Sequence, residues 1–178
     1  LRAATYLVPV VGRFYRDLST FTVHEALRDG YDALLAAAPE LKLLVNIDSD
    51  VRLRRDWLTT LRALFQRERP RRGPVIVTGF HAPNHPIVEV HDDHVVKASV
   101  GGVNLLFDVE TYREVVRPQL ALHWDWHVTA EMVRRGFPML CTRPSVVQHG
   151  GRRGRFSRPR RYDHADDFAA DATEASTP

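Results

Sequence analysis

The apolar positions of this 178-residue chain follow two periods in turn, and each change of period marks an element. Residues 5–11 form a β-branched run closed by Gly12, which predicts a strand. Over 22–38, Val23, Ala26, Leu27, Leu34 and Leu35 recur at helical spacing until Pro39, predicting a helix. The run Leu43-Leu44-Val45-Asn46-Ile47 predicts a buried strand. Trp57, Leu58, Leu61, Leu64 and Phe65 then predict a helix over 56–66, stopped by Pro70, Gly73 and Pro74. A strand over 74–80 follows. Residues 87–90 and 94–98 read as a small hairpin turning at Asp92-Asp93, and 103–107 as a strand. A short helix over 109–116 and one over 126–135, closed by Gly136, precede short strands at 139–143 and 145–148. The alternation of strand and helix in the first eighty residues predicts an α/β fold with a mostly parallel central sheet and flanking helices. One domain is expected over 1–162. The acids, alanines and Ser-Thr-Pro ending of 163–178 predict a flexible tail.

Composition sets limits on this picture. A hydrophobic content of 44% is enough for a packed core at this length, and no apolar run reaches the length of a membrane span. The first residues lack the charged-then-apolar layout of a secretory signal, so cytoplasmic residence is the default expectation. Cys141 is the single cysteine, which rules out an intrachain disulfide and a cysteine-based zinc site; its apolar neighbours predict a buried thiol. The net charge of +3 is unevenly spread. Arg67, Arg69, Arg71 and Arg72 sit where a helix should end, which suits cations. The denser group, Arg152, Arg153, Arg155, Arg158, Arg160 and Arg161, reads either as a phosphate-facing loop or as a solvated tail. Only Phe156 and Tyr162 interleave it, thin support for nucleic-acid binding.

Chemistry enters at Asp48-Ser49-Asp50. Two carboxylates directly after a short apolar strand arrive at the C-terminal edge of a sheet, where α/β folds bind ligands and where Mg²⁺ or Mn²⁺ can bridge protein oxygens to a diphosphate. The same pair also suits a loop that caps the next helix. Further along stand Gly101-Gly102-Val103-Asn104, then Trp124-Asp125-Trp126, then Gln148-His149-Gly150-Gly151.

This ordered set, over roughly residues 18–162, resembles the metal-dependent GT-A glycosyltransferases, in particular the inverting, family-2-like group of the nucleotide-diphospho-sugar transferases. The resemblance implies a hexosyl transfer from a nucleotide-diphospho-sugar donor to an acceptor hydroxyl, on a saccharide, a lipid-linked molecule or a protein. It implies a metal site of Asp48, Asp50 and His149, with Asp50 the direct ligand, Asp48 nearer the ribose or just behind the direct ligands, and His149 completing the metal shell. Asp125, before a helix, takes the place of the general base, although the family often carries an acidic pair where this chain has Trp124-Asp125-Trp126. Trp124 and Trp126 become acceptor contacts, while Arg28, Ser49, Gly101, Gly102, Arg152 and Arg153 become donor or phosphate contacts. Leu27-Arg28-Asp29-Gly30 matches the segment where the family often has an Arg-Asn pair, and one strand-helix unit rather than three precedes Asp48. The chain is therefore expected to be a truncated domain, a short family member or a piece of a larger protein.

Each of these residues has a plainer role open to it: an N-cap for Asp125, a core position for Trp124, a tight turn for Gly101-Gly102, a strand-end hydrogen bond for His149. His81, His85, His91 and His94 do not match a helical zinc pair, since Pro83 and Pro86 interrupt them; a polar loop on the acceptor side or a surface hairpin is the expectation. The chain has no P-loop, dinucleotide or Gly-x-Ser-x-Gly motif. A nucleotidyltransferase, which needs the same metal aspartate, and a catalytically silent binding domain are the alternatives.

Overall fold

Residues 22–150 and 163–169 are described in the computed structural model of the chain. The predicted strand at 5–11 and the arginine group at 152–161 lie outside them. Helix α1 (Val23–Ala37) leads into β1 (Leu43–Ile47), β2 (Val51–Leu53) and α2 (Trp57–Arg72). Strand β3 (Ile76–Thr78) and the hairpin β4 (Ile87–Val90) with β5 (His94–Lys97) follow. Next come β6 (Asn104–Asp108), a helical turn α3 (Val109–Thr111), α4 (Trp124–Arg135), β7 (Met139–Thr142) and β8 (Val147–His149).

The sheet is α/β as expected but not mostly parallel. Its six strands run in the order β1-β6-β3-β7-β5-β4, and only β3 with β7 is a parallel pair. The β-α-β reading of β1, α2 and β3 holds for direction, because β6 is antiparallel to both. What it missed is that β6 inserts between them, giving Val45 opposite Leu106 on one side and Val77 opposite Leu106 on the other. The hairpin adds two more antiparallel ladders. An apolar run does not declare its neighbour, so direction was legible and insertion was not.

Each face of the sheet carries one apolar cluster. On one, Leu44, Ile76, Leu105, Phe107 and Met139 pack with Tyr31 of α1, with Tyr112, Val115 and Val116, and with Trp124, Val128 and Met132 of α4. On the other, Val77, Val96, Leu106 and Leu140 pack with Leu61, Leu64 and Phe65 of α2. The period-2 alternation of each strand sends successive residues to opposite clusters.

Several boundaries differ from the periodicity. Helix α2 continues through Pro70, an exposed position, and ends at Gly73, whose φ of 73° a β-carbon would disfavour. The segment predicted as a helix over 109–116 is α-helical only over Val109–Thr111, then makes a π-helical turn over Tyr112–Val116 and a 3₁₀ turn over Arg117–Gln119. The wider turn lets Tyr112, Val115 and Val116 all bury fully. The cationic end of α2 is not simply solvated: Arg69 pairs with Asp108 at 2.6 Å and Glu110 at 2.7 Å, Arg67 with Asp93 at 2.8 Å, and Arg72 with Glu68 at 3.0 Å. Residues 163–169, expected as the start of the tail, lie against the molecule, with Ala165 buried in the second cluster and Phe168 packed on it.

Candidate metal centre

The β1–β6 ladder extends one residue past the strand, the Asp48 N–H donating to the Val103 carbonyl at 3.0 Å. Asp48 thereby emerges opposite the Gly101-Gly102-Val103 turn. Two asparagines hold this rim. Asn46 Nδ2 donates to the Gly102 carbonyl at 2.6 Å, and fully buried Asn104 donates to the Asn46 carbonyl at 3.2 Å while accepting from the Gly79 N–H at 3.0 Å. Both are strand residues whose polar side chains satisfy turn backbone that the sheet leaves unpaired.

After Ser49 and Asp50 the chain enters β2, which pairs antiparallel with β8 in a separate two-stranded sheet. Val51 stands opposite His149, so the histidine arrives beside Asp50, with its Nε2 at 3.4 Å from Asp50 Oδ1. The Gly150 N–H closes the end on the Asp50 carbonyl at 2.6 Å, and a β-carbon on Gly150 would lie 2.8 Å from that oxygen. Neither β2 nor the pairing is evident from the sequence, where Val51-Arg52-Leu53 looks like a lead-in to α2.

Asp48, Asp50 and His149 each offer one ligand atom, and all these atoms lie within 4.8 Å of one another; among the described residues they form the one grouping of three or more metal-ligating side chains. Asp48 keeps contact with solvent, yet the protein around it pushes its carboxyl up to about 6, chiefly by burial. The negative charge of Asp50 adds to this, His149 opposes it, and Asp125 raises it further. A site that resists the second of two adjacent negative charges gains most from a cation.

The influence of Asp125 on Asp48 brings α4 to the same place. The helix begins at Trp124, two residues earlier than its periodicity indicates, and is capped by His123 at φ 60° rather than by Asp125. Asp125 lies in the first turn, its Oδ1 accepting from the Trp126 N–H at 3.0 Å. Trp124 is buried, and its indole covers Gly102 so closely that a β-carbon there would sit 2.7 Å from Trp124 Cζ2. Trp126 is 59% exposed. Beside it, at 6.1 Å between ring centroids, lies buried His85, whose Nδ1 is 2.7 Å from Ser99 Oγ and whose Nε2 faces Gly101. Burial first, then Lys97, hold the His85 pKa down, while Asp163 and Asp125 oppose them. A buried histidine beside Trp126 was visible in the sequence only as one of four histidines in a loop.

The other expected residues are distributed more widely. Ser49 is exposed in the turn between the two aspartates. Arg28 lies on α1, where its charge acts on Asp32 and its carbonyl accepts from the Tyr112 hydroxyl at 3.4 Å. Arg152 and Arg153 fall outside the described residues. His91 and His94 stack at 4.3 Å on the hairpin, and His81 Nδ1 is 3.7 Å from Asp167, so the four histidines do not converge. No helix among the described residues is long and apolar enough to cross a membrane. Comparison with models of known protein families finds none that matches this chain, and no curated protein matches it.

Proposed function

We propose that this chain carries a metal-dependent, inverting glycosyltransferase centre of the GT-A kind, transferring a hexosyl group from a nucleotide-diphospho-sugar to an acceptor hydroxyl. The observation that carries the reading is the meeting of Asp48, Asp50 and His149 within 4.8 Å, with Asp125 near enough to raise Asp48. The order of the motifs along the chain, which resembles that family, supplies the reaction class.

The donor set suits the metal. Two carboxylates accept either Mg²⁺ or Mn²⁺, and an imidazole in place of a third oxygen favours Mn²⁺. Asp50 and His149 would hold such an ion with Asp48 in support, and its chemistry there would be neutralisation of the charge that develops on the diphosphate leaving group. Asp125 acts from the first turn of α4, taking the acceptor hydroxyl proton on its free carboxylate oxygen while Oδ1 stays bonded to the helix. Trp126 offers an exposed aromatic face to an acceptor ring, and His85 orients a polar group beside it. Trp124 serves indirectly, fixing the Gly101-Gly102 turn against which the donor lies.

Calorimetric titration of the full chain with Mn²⁺, and of Asp50→Ala, tests the centre. Saturable binding that disappears in a folded Asp50→Ala protein supports it; equal binding in both removes Asp50. A panel of nucleotide sugars then separates the chemistry, since sugar transfer with nucleoside diphosphate release supports the proposal and pyrophosphate release points to a nucleotidyltransferase. Metal and nucleotide binding with neither product indicates a silent domain.

A further inference from the structure

Gln148, between buried Val147 and the metal-side His149, makes three hydrogen bonds with one side chain. Its Oε1 accepts from the N–H of His149 at 3.1 Å and from the N–H of Ala165 at 2.9 Å, and its Nε2 donates to the Ala165 carbonyl at 2.9 Å. A side-chain amide that satisfies both backbone groups of a single distant residue ties that residue to β8 at two points, just before the chain turns at 166–167. Other contacts hold the segment at both ends. Asn84 Nδ2 donates to Asp163 at 3.0 Å, the Ser145 hydroxyl donates to Asp167, and Phe168 packs on the cluster that contains Val147 and has the Arg52 guanidinium 6.0 Å from its ring centroid.

These contacts surround the small sheet that carries half of the metal centre. Strands β2 and β8 have three residues each and, among the described residues, form a sheet of two strands, which is marginal for a ribbon by itself. Arg52 on β2 and Gln148 on β8, which stand opposite each other in the ladder, both contact the 163–169 segment, so it lies against the ribbon at that pair. Apart from that cover, the 3.4 Å approach of His149 to Asp50 rests on the three-residue ladder, the Arg54 N–H on the Val146 carbonyl at 3.0 Å, the Val146 and Val147 N–H groups on the Gly79 carbonyl at 3.0 Å each, the Phe80 ring 6.0 Å from the His149 ring, and the Gly150 bond.

We infer that residues 163–169 are a strap that positions His149, and that Gln148 is the positioning residue through which the strap acts on the metal centre. The inference rests on the metal reading above for its functional consequence, and on the ribbon alone for its structural one. Metal binding and strap docking are then linked: each favours the other by the same factor.

The test compares full-length wild type with Gln148→Ala and Gln148→Glu in two measurements. The first is Mn²⁺ affinity by calorimetry. Gln148→Ala is expected to weaken it by about 10–100-fold, the usual loss when a group supporting a metal ligand is removed. Gln148→Glu keeps the acceptor for the His149 and Ala165 N–H groups but cannot donate to the Ala165 carbonyl, and falls between. The second is amide hydrogen exchange of the metal-free proteins, with the melting temperature as a control for global loss. Gln148→Ala is expected to speed exchange at residues 51–53, 147–149 and 163–169 while the amides of β3, β6 and β7 keep their protection. Mn²⁺ added to wild type should slow exchange at Ala165. Unchanged Mn²⁺ affinity in a Gln148→Ala protein whose 163–169 amides exchange faster overturns the inference, because the strap would then be loose without affecting the centre. Absence of Mn²⁺ binding in wild type overturns the metal reading instead; the strap is then judged by exchange at residues 51–53, and unchanged exchange there rejects it.

Discussion

At Asp48 three charges act on one carboxyl. Burial, Asp50 and Asp125 favour the protonated form, His149 favours the ionised one, and the balance lifts the group to about 6. A cation needs the carboxylate, so binding displaces that proton whenever pH is below the lifted value. Mn²⁺ affinity is therefore expected to fall by at least about tenfold per pH unit below 6; calorimetry in a pH series on wild type and Asp48→Asn checks this, and the same pH dependence in both proteins would remove Asp48 from the site. Asp125 is open to an independent test. Asp125→Asn keeps an oxygen for the Trp126 N–H, so the helix start should survive. Nucleotide binding should be retained and turnover should drop on the order of 10²–10⁴-fold, the range for loss of a general base. Undiminished turnover would leave Asp125 as a first-turn acceptor only.

The elements around the centre are joined by polar residues placed inside strands. Asn104 has no exposure, sits on β6 between β1 and β3, and ties the Asn46 carbonyl to the Gly79 N–H, one at each neighbouring strand end. Asn104→Ala leaves the Gly79 N–H and the Asn46 carbonyl without this partner in a buried place, a cost of about 1–3 kcal/mol. Urea denaturation should show that loss with an unchanged slope. The effect should also reach the site, since Asn46 holds the Gly102 carbonyl and Trp124 seals the same turn. A second joint is the cationic end of α2, where Arg67 and Arg69 reach β6, α3 and the hairpin turn. These pairs account for part of a basic cluster that the sequence presents as a cationic helix end.

Across the whole molecule, carboxyls shift in two opposite directions. Those of Asp32, Asp56, Glu68, Asp93 and Glu131 are held below the usual range by hydrogen-bonded arginines, Glu131 to about 2. Their contribution is present above the unfolded carboxylate range near 4 and is lost as pH falls through the lowered folded values. Water screens most of them, so each is small and the loss becomes visible only in sum. Asp48 has the opposite sign: its folded pKa lies above the unfolded one, so the metal-free protein is destabilised as pH rises from about 4 toward 6, and stays so above. Asp48→Asn should accordingly raise the melting temperature at pH 7.5 without metal and leave it unchanged near pH 3.5. A rise of equal size at both pH values would trace the effect to packing and not to charge.

Local order was open to inspection in the residues themselves. The apolar spacing of Trp57, Leu61, Leu64 and Phe65, the β-rich run before Asp48 and the turn at Asp92-Asp93 each depend on neighbours within a few positions, and each appears where its pattern lies. So does the placement of two carboxylates at a strand end, because that follows from the strand alone. Long-range partners were not legible. The insertion of β6 between β1 and β3, the pairing of β2 with β8 that brings His149 from a hundred residues away to Asp50, and the return of 163–169 to Gln148 are all choices among competing edges and faces. Such choices are made by the summed burial of two apolar clusters and by which backbone groups would otherwise stay unpaired, quantities that belong to the folded chain and have no local signature in it.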